Sequence, residues 1–222
     1  MKLRIAVILF ALGAMVSPAS AGMHASSGVS LGYNSGLGGE GSLTLQDVSP
    51  GLPFGMKLGV GWLSLDPGNA ALARQVFVND NTNGEPEEHG HRFDFRLDAR
   101  YQFQKGALQR TWLLVGPRYS MYRGTFTFVG GNESFDVTTN QFGFGAGLEQ
   151  VFVLGPHTDL SMGAGLDWFA NSDFKGHSSV YSPDGTIIEQ QDDFTYADAN
   201  KAINQPRFAP RIMVGVQHHL GW

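Results

Sequence analysis

The 222-residue chain carries 15 Lys+Arg against 20 Asp+Glu, holds 30 glycines and 12% aromatics, and has no cysteine. That balance argues against a nucleic-acid partner, and without cysteine neither disulfides nor thiolate chemistry is available. Beyond residue 21 no run approaches the ~20 apolar residues of a membrane-spanning helix, and so much glycine is poor for helices in general.

Residues 1–21, MKLRIAVILFALGAMVSPASA, combine a basic start at Lys2 and Arg4, an apolar run from Ile5 to Val16, and the small-x-small triplet Ala19-Ser20-Ala21. These are the parts of a cleaved secretory signal, so residues 22–222 are expected to form the mature domain. Its 13 Lys+Arg against 20 Asp+Glu leave it at about −7.

From there a period of two recurs along the chain, the mark of strands with two unlike faces. Val29, Leu31 and Tyr33 oppose Ser30, Gly32 and Asn34; Leu43 and Leu45 oppose Ser42, Thr44 and Gln46; Met56, Leu58, Val60 and Trp62 oppose Lys57, Gly59 and Gly61. The longest alternation is RFDFRLDARYQFQ, residues 92–104, where Phe93, Phe95, Leu97, Ala99, Tyr101 and Phe103 oppose Asp94, Arg96, Asp98 and Arg100. Leu113, Val115, Pro117, Tyr119 and Met121 then oppose Leu114, Gly116, Arg118 and Ser120.

The next stretch, QFGFGAGLEQVF at 141–152, superficially resembles a phosphate-binding glycine loop. Its third glycine comes one residue too early, and Gly155-Pro156 leave no room for the helix such a loop requires. It is read as a strand with Phe142, Phe144, Ala146, Leu148 and Phe152 on one face and Gly143, Gly145, Gly147 and Glu149 on the other. Leu160, Met162, Ala164, Leu166 and Trp168 oppose Gly163, Gly165 and Asp167, and Phe208, Ile212, Val214, Val216 and Leu220 oppose Arg211, Gly215, Gln217 and His219. Eight strands result. Short links at 47–53, 104–109 and 154–158 alternate with long polar ones at 66–91, 125–138 and 171–206, the asymmetry of a transmembrane barrel. Only the outer link at 34–39 is short.

Which face is wet follows from volume. The interior of an eight-stranded barrel is just wide enough for side chains to fill. The aromatic parity is too bulky for it, whereas the glycine- and serine-rich parity fits. The expected fold is therefore an all-β, eight-stranded antiparallel up-and-down transmembrane β-barrel with its apolar face in lipid. Lys57, Asp94, Arg96, Asp98, Arg100, Arg118, Glu149, Asp167 and Arg211 then lie in the lumen, where charges are tolerable only if paired. A hairpin centred at Gly155-Pro156 sets Asp167 opposite Gly145 and Glu149 opposite Gly163, each glycine leaving room for a neighbour's charge. The network is expected to plug the lumen.

The last residues, VGVQHHLGW, place Val214, Val216, Leu220 and terminal Trp222 on one parity. With the leader, the eight strands and the alternating loops, the chain resembles the small outer-membrane β-barrel proteins of Gram-negative bacteria, the OmpA/OmpX-like group. The resemblance implies residence in the outer membrane among lipid and lipopolysaccharide. It also implies a C-terminal strand, through Val214, Val216, Leu220 and Trp222, read by the barrel-assembly machinery. Trp222 replaces the group's usual terminal Phe, and His218 stands where an apolar residue is commoner. A monomer with a structural or surface-interaction role, no catalysis and no cofactor is expected, with the acidic loops 66–91 and 171–206 as the surface for an extracellular partner. Two alternatives stand beside it: a lipid A-modifying enzyme acting by acyl transfer or deacylation, and a narrow pore for small solutes.

Other candidates are weaker. His177-Ser178-Ser179 offers a base beside hydroxyls, the need of a serine nucleophile, but lies in a polar loop. His89 and His91 flank Gly90 near Glu85, Glu87 and Glu88, and His218 and His219 point to opposite faces. Asn79, Asn81, Asn83 and Gly84 imitate the start of a calcium loop without its closing glutamate. No metal site is expected from them.

Overall fold

The computed structural model describes residues 24–47, 54–103, 110–131, 133–188 and 194–220. The leader, the first two short links and Trp222 lie outside them. Eight strands close a ring: β1 (His24–Asn34), β2 (Leu37–Gln46), β3 (Phe54–Leu65), β4 (Glu85–Gln102), β5 (Thr111–Val129), β6 (Glu133–Gly155), β7 (Thr158–Phe169) and the C-terminal strand β11 (Phe208–Leu220). Neighbours in sequence pair antiparallel, β7 pairs β11, and β11 returns to β1 through Ala25↔Leu220 to Asn34↔Arg211. No edge is left unpaired in the ring, which is the way a sheet satisfies its backbone inside a bilayer.

The register agrees with the hairpin arithmetic: Gly145 stands opposite Asp167 and Glu149 opposite Gly163. The alternation is also oriented as expected, with Leu31 (73% exposed), Phe142 (72%) and Ile212 (63%) outside while Asp167 and Arg100 are fully buried. Phe54 to Trp62 on β3 is eight residue steps, ~27 Å along the strand and, at a tilt near 40°, about 21 Å of height. That is close to the apolar band of an outer-membrane barrel.

The outer segments are more than the long polar links expected. The segment at 125–138 is mostly strand: β5 and β6 stay paired from Gly124↔Val137 to Phe128↔Glu133, and β4 accompanies them from Glu85↔Val129. Because β3 releases β4 at Gly90, these extensions stand above the rim as a three-stranded ribbon. In the ribbon the alternation changes meaning. The inward parity, charged or glycine below, becomes Phe126, Phe128, Phe135 and Val137, while the outward parity changes from Phe93, Met121 and Phe142 to His91, Arg123 and Asn140.

The apolar side of the ribbon is covered by the two long loops. The first forms α1 (Ala70–Phe77), whose N-cap Asn69 accepts from the Leu72 amide at 2.9 Å. The second forms three two-residue strands, β8 (Phe174–Lys175), β9 (Val180–Tyr181) and β10 (Ile187–Ile188), then α2 (Tyr196–Ala202). Strand β8 joins the edge of β6 at Thr138↔Lys175. Helix α2 begins with a capping box in which Thr195 and Asp198 satisfy each other's backbone amides. Phe77, Tyr181, Phe174, Ala199, Ala202 and Ile203 pack on Phe126, Phe135 and Val137 in a second, ordinary hydrophobic core outside the membrane.

Candidate functional site

Inside the ring the charged side chains form three linked groups. Nearest the periplasmic end, Glu149 accepts from Lys57, from Arg100 Nη2 at 2.7 Å and from Gln217 Nε2 at 3.3 Å, and the Arg100 guanidinium lies 4.2 Å over the Trp112 ring. In the middle, Arg96 joins Glu40 and, at 2.8 Å, Asp98. Asp98 continues to Arg118 at 2.8 Å, and Arg118 Nε reaches Asp167 at 2.8 Å. Arg211 Nη1 lies 3.7 Å from the other oxygen of Asp167. Toward the outside, Arg92 Nη2 binds Asp94 at 2.7 Å, Asn34 Nδ2 donates to the same Asp94 oxygen at 3.2 Å, and the Arg92 guanidinium sits 5.5 Å from the Phe169 ring centroid.

All nine lumen residues named from the sequence face this interior and are buried. Two equally buried partners, Glu40 and Arg92, were missed. The alternation of Ser42, Thr44 and Gln46 runs back through Glu40, just past the link expected at 34–39, and Arg92 shares the parity of Asp94 at the first residue of the 92–104 alternation, seven residues into the observed β4.

Glycines set where these charges can pass. A Cβ on Gly145 would overlap the Asp167 carboxylate and stand 2.5 Å from Arg118 Nη2, and one on Gly165 would stand 2.9 Å from Arg211 Nη2. What remains between the middle and periplasmic groups is a void of about 20 Å³, the size of one or two water molecules.

The mouth is crossed by the two long loops. Asn69 N–H donates to the Ala202 carbonyl at 2.9 Å, Asn204 N–H donates to the Pro67 carbonyl at 3.0 Å, and Gly68 bridges Ile203. The Tyr122 hydroxyl donates to the Pro67 carbonyl at 2.8 Å and the Tyr181 hydroxyl to the Val76 carbonyl at 2.7 Å, tying the first long loop to β5 and α1 to β9. Arg74, buried in this cap, pairs with Glu133, donates to the Asn83 carbonyl at 2.8 Å and lies 4.2 Å over Phe128. A groove of about 620 Å³ runs along α1 and α2 between Asp66, Glu88, Asn69 and Lys201.

The remaining candidates do not assemble. His177 and Ser178 are exposed while Ser179 is buried, and among the described residues that line the groove there is no serine, histidine or cysteine. The side-chain oxygens of Asn79 and Asn81 accept from the amides of Asn81 and Asn83, closing local turns. His218 lies 6.3 Å from His157 between ring centroids, and His219 binds Asp159 at 2.9 Å. Among the described residues no group of three or more His, Cys, Asp or Glu could hold a metal ion. Several loop acids act locally instead: Thr195, through hydroxyl and amide, holds the Asp198 carboxyl below the usual carboxylate range, and the Thr186 amide does the same for Asp184. Val214, Val216 and Leu220 are exposed on the lipid side of β11.

A closed antiparallel ring with an apolar exterior, a charged interior and its long loops at one rim defines a small outer-membrane β-barrel. The lipid-facing belt places the chain in the outer membrane. The major outer membrane protein of Thermus thermophilus has the same fold, with a TM-score of 0.71 at 22% identity over 90% of this chain and 100% of that one. Weaker likenesses are CarO2 of Acinetobacter baumannii (TM-score 0.46, 14% identity, 89% of this chain and 99% of that one) and Neisserial surface protein A, NspA (0.41, 11%, 89% and 97%). No family model and no curated protein matches the chain by sequence.

Proposed function

We propose that this barrel is a closed, non-catalytic outer-membrane protein that holds an ordered platform at the cell surface for an extracellular partner. The observation that carries the reading is the continuity of closure. Among the described residues eleven charged side chains fill the lumen, ten of them in direct ion pairs and Arg211 beside them, around a void of about 20 Å³, and loops from opposite sides of the ring meet above it. A hydrated ion crossing that path would have to break buried pairs, each costly to separate. The loops, moreover, are ordered around their own hydrophobic core, which presents the groove along α1 and α2 as a fixed surface. Surface loops that keep a defined shape are where barrels carry recognition.

Planar-bilayer recording of the purified, folded barrel tests closure. No unitary conductance is expected, and reproducible single-channel steps from protein free of contaminating porins would overturn it. Mass spectrometry of lipid A from cells expressing the protein tests the absence of catalysis. An added or lost acyl chain that disappears in His177→Ala would establish the enzymatic alternative.

A further inference from the structure

Arg211 is the lumen cation whose partners do not suffice. Its side chain is 5% exposed, and its nearest carboxylate oxygen, Asp167 Oδ2, is 3.7 Å away, beyond hydrogen-bond range. Asp167 is already engaged by Arg118 at 2.8 Å, and no acceptor among the described residues serves Arg211 Nη1. By contrast Lys57, Arg92, Arg96, Arg100 and Arg118 each donate directly to a carboxylate.

The charge count points the same way. Among the described residues buried in the lumen, Lys57, Arg92, Arg96, Arg100, Arg118 and Arg211 face Glu40, Asp94, Asp98, Glu149 and Asp167, one negative charge too few. The next carboxylate, Asp159, lies at the periplasmic end, six residues along β7 from the Gly165 that pairs with Arg211, and binds His219 there. An arginine cannot shed its proton to escape burial, so the unmatched charge calls for a counter-ion rather than a neutral side chain.

We propose that the void beside Arg211 binds one small monovalent anion of the chloride class. Arg211 lines it, as do Lys57 and Arg96, and the hydroxyls of Ser30 and Ser161 add neutral donors. The two carboxylates at its wall, Glu40 and Glu149, are each held by their own cations. Gly147 and Gly165 keep the space for the guanidinium: a Cβ at either would stand 3.1 or 2.9 Å from Nη2. At about 20 Å³ the void has room for one occupant of about the size of a water molecule, a class to which the small halides belong. The site concerns stability rather than conduction, so its failure and the failure of the closure reading are separately visible.

The test is urea unfolding of the refolded barrel in detergent, followed by the mobility of the folded band, in sodium chloride against sodium sulfate at matched ionic strength. Chloride is expected to stabilise saturably, raising the folded-to-unfolded ratio about elevenfold at ten times the dissociation constant. Arg211→Gln is expected to abolish the chloride dependence. Crystals of the wild-type barrel refolded in bromide, which need no variant, are expected to show an anomalous peak within hydrogen-bond reach of Arg211. A wild-type barrel indifferent to the anion, a dependence that survives in Arg211→Gln, or bromide crystals with no lumen peak would each overturn the proposal.

Discussion

Glu149→Gln is the most informative single change in the lumen. Glu149 is 4% exposed and is the only carboxylate bonded to Lys57 and Arg100 among the described residues. The substitution keeps shape and a carbonyl acceptor but leaves two buried cations facing no charge. Breaking one buried pair by removing a partner costs about 3–5 kcal/mol. The Arg100 guanidinium over the Trp112 face at 4.2 Å is common to both proteins and cancels in the comparison. A loss of about 3–5 kcal/mol is therefore expected, about two to four decades in the unfolding equilibrium at 1.36 kcal/mol per decade. The assay is urea unfolding in lipid vesicles, with the folded fraction read from gel mobility without boiling. Replacing all three residues together, Lys57→Met, Arg100→Met and Glu149→Leu, is expected to recover most of the loss, because a buried ionic group exchanged whole for apolar side chains is often neutral or stabilising. A Glu149→Gln barrel within 1 kcal/mol of wild type would refute the reasoning, since it would mean that water reaches the two cations.

Other expected outcomes probe separate parts of the fold. Gly145→Ala should destabilise the barrel in the same assay by more than 2 kcal/mol, because its methyl would displace the Asp167–Arg118 pair. Gly61→Ala, whose Cβ would meet nothing nearer than 3.6 Å, should stay within about 1 kcal/mol. Phe77→Ala, deleting a fully buried ring packed edge-on against Tyr181 at 5.4 Å, should open the outer loops to protease at a local cost of about 3–5 kcal/mol without changing gel mobility. The Asp198 carboxyl is held below its ordinary range, so its support of α2 is fully present above the unfolded value near pH 4 and is lost as pH falls through the lower folded value. The protection factors of the α2 amides, exchange rates taken relative to the intrinsic rate at each pH, should fall on acidification in the wild type and be lower, with little pH dependence, in Asp198→Asn.

The ring was legible because the two faces of each strand meet solvents of opposite kind. Phe142 and Phe144 against Gly143 and Gly145 could not be exchanged without overfilling the interior, so the sequence decided which side was wet. The hairpin register followed because Gly155-Pro156 admits one tight centre. Glu40 and Arg92 were lost at the ends of the readable alternation, although both lie inside their strands, because the residues beyond them, Gly38-Gly39 and Gly90-His91, no longer separate an apolar face from a polar one. The cap was lost for a different reason. Its signals are local and readable, with Asn69 before an alanine-rich turn and Thr195 three residues before Asp198, but the core that makes those turns persist joins Tyr181 to Val76, 105 residues apart. In Phe126, Phe128, Phe135 and Val137 the alternation continues while its environment reverses above the rim, and periodicity alone carries no mark of where lipid ends.

The backbone bridge from Gly68 to Ile203 has a consequence for assembly. Its two loops leave the ring at the β3–β4 and β7–β11 boundaries, half a circumference apart, so the bridge spans a diameter. Between those two boundaries lie β4, β5, β6 and β7, so the loops can meet only once these four strands have curled through half the ring. The bridge therefore clamps that curvature from above, and an outer surface carrying it reports from outside the cell that half the ring has rounded.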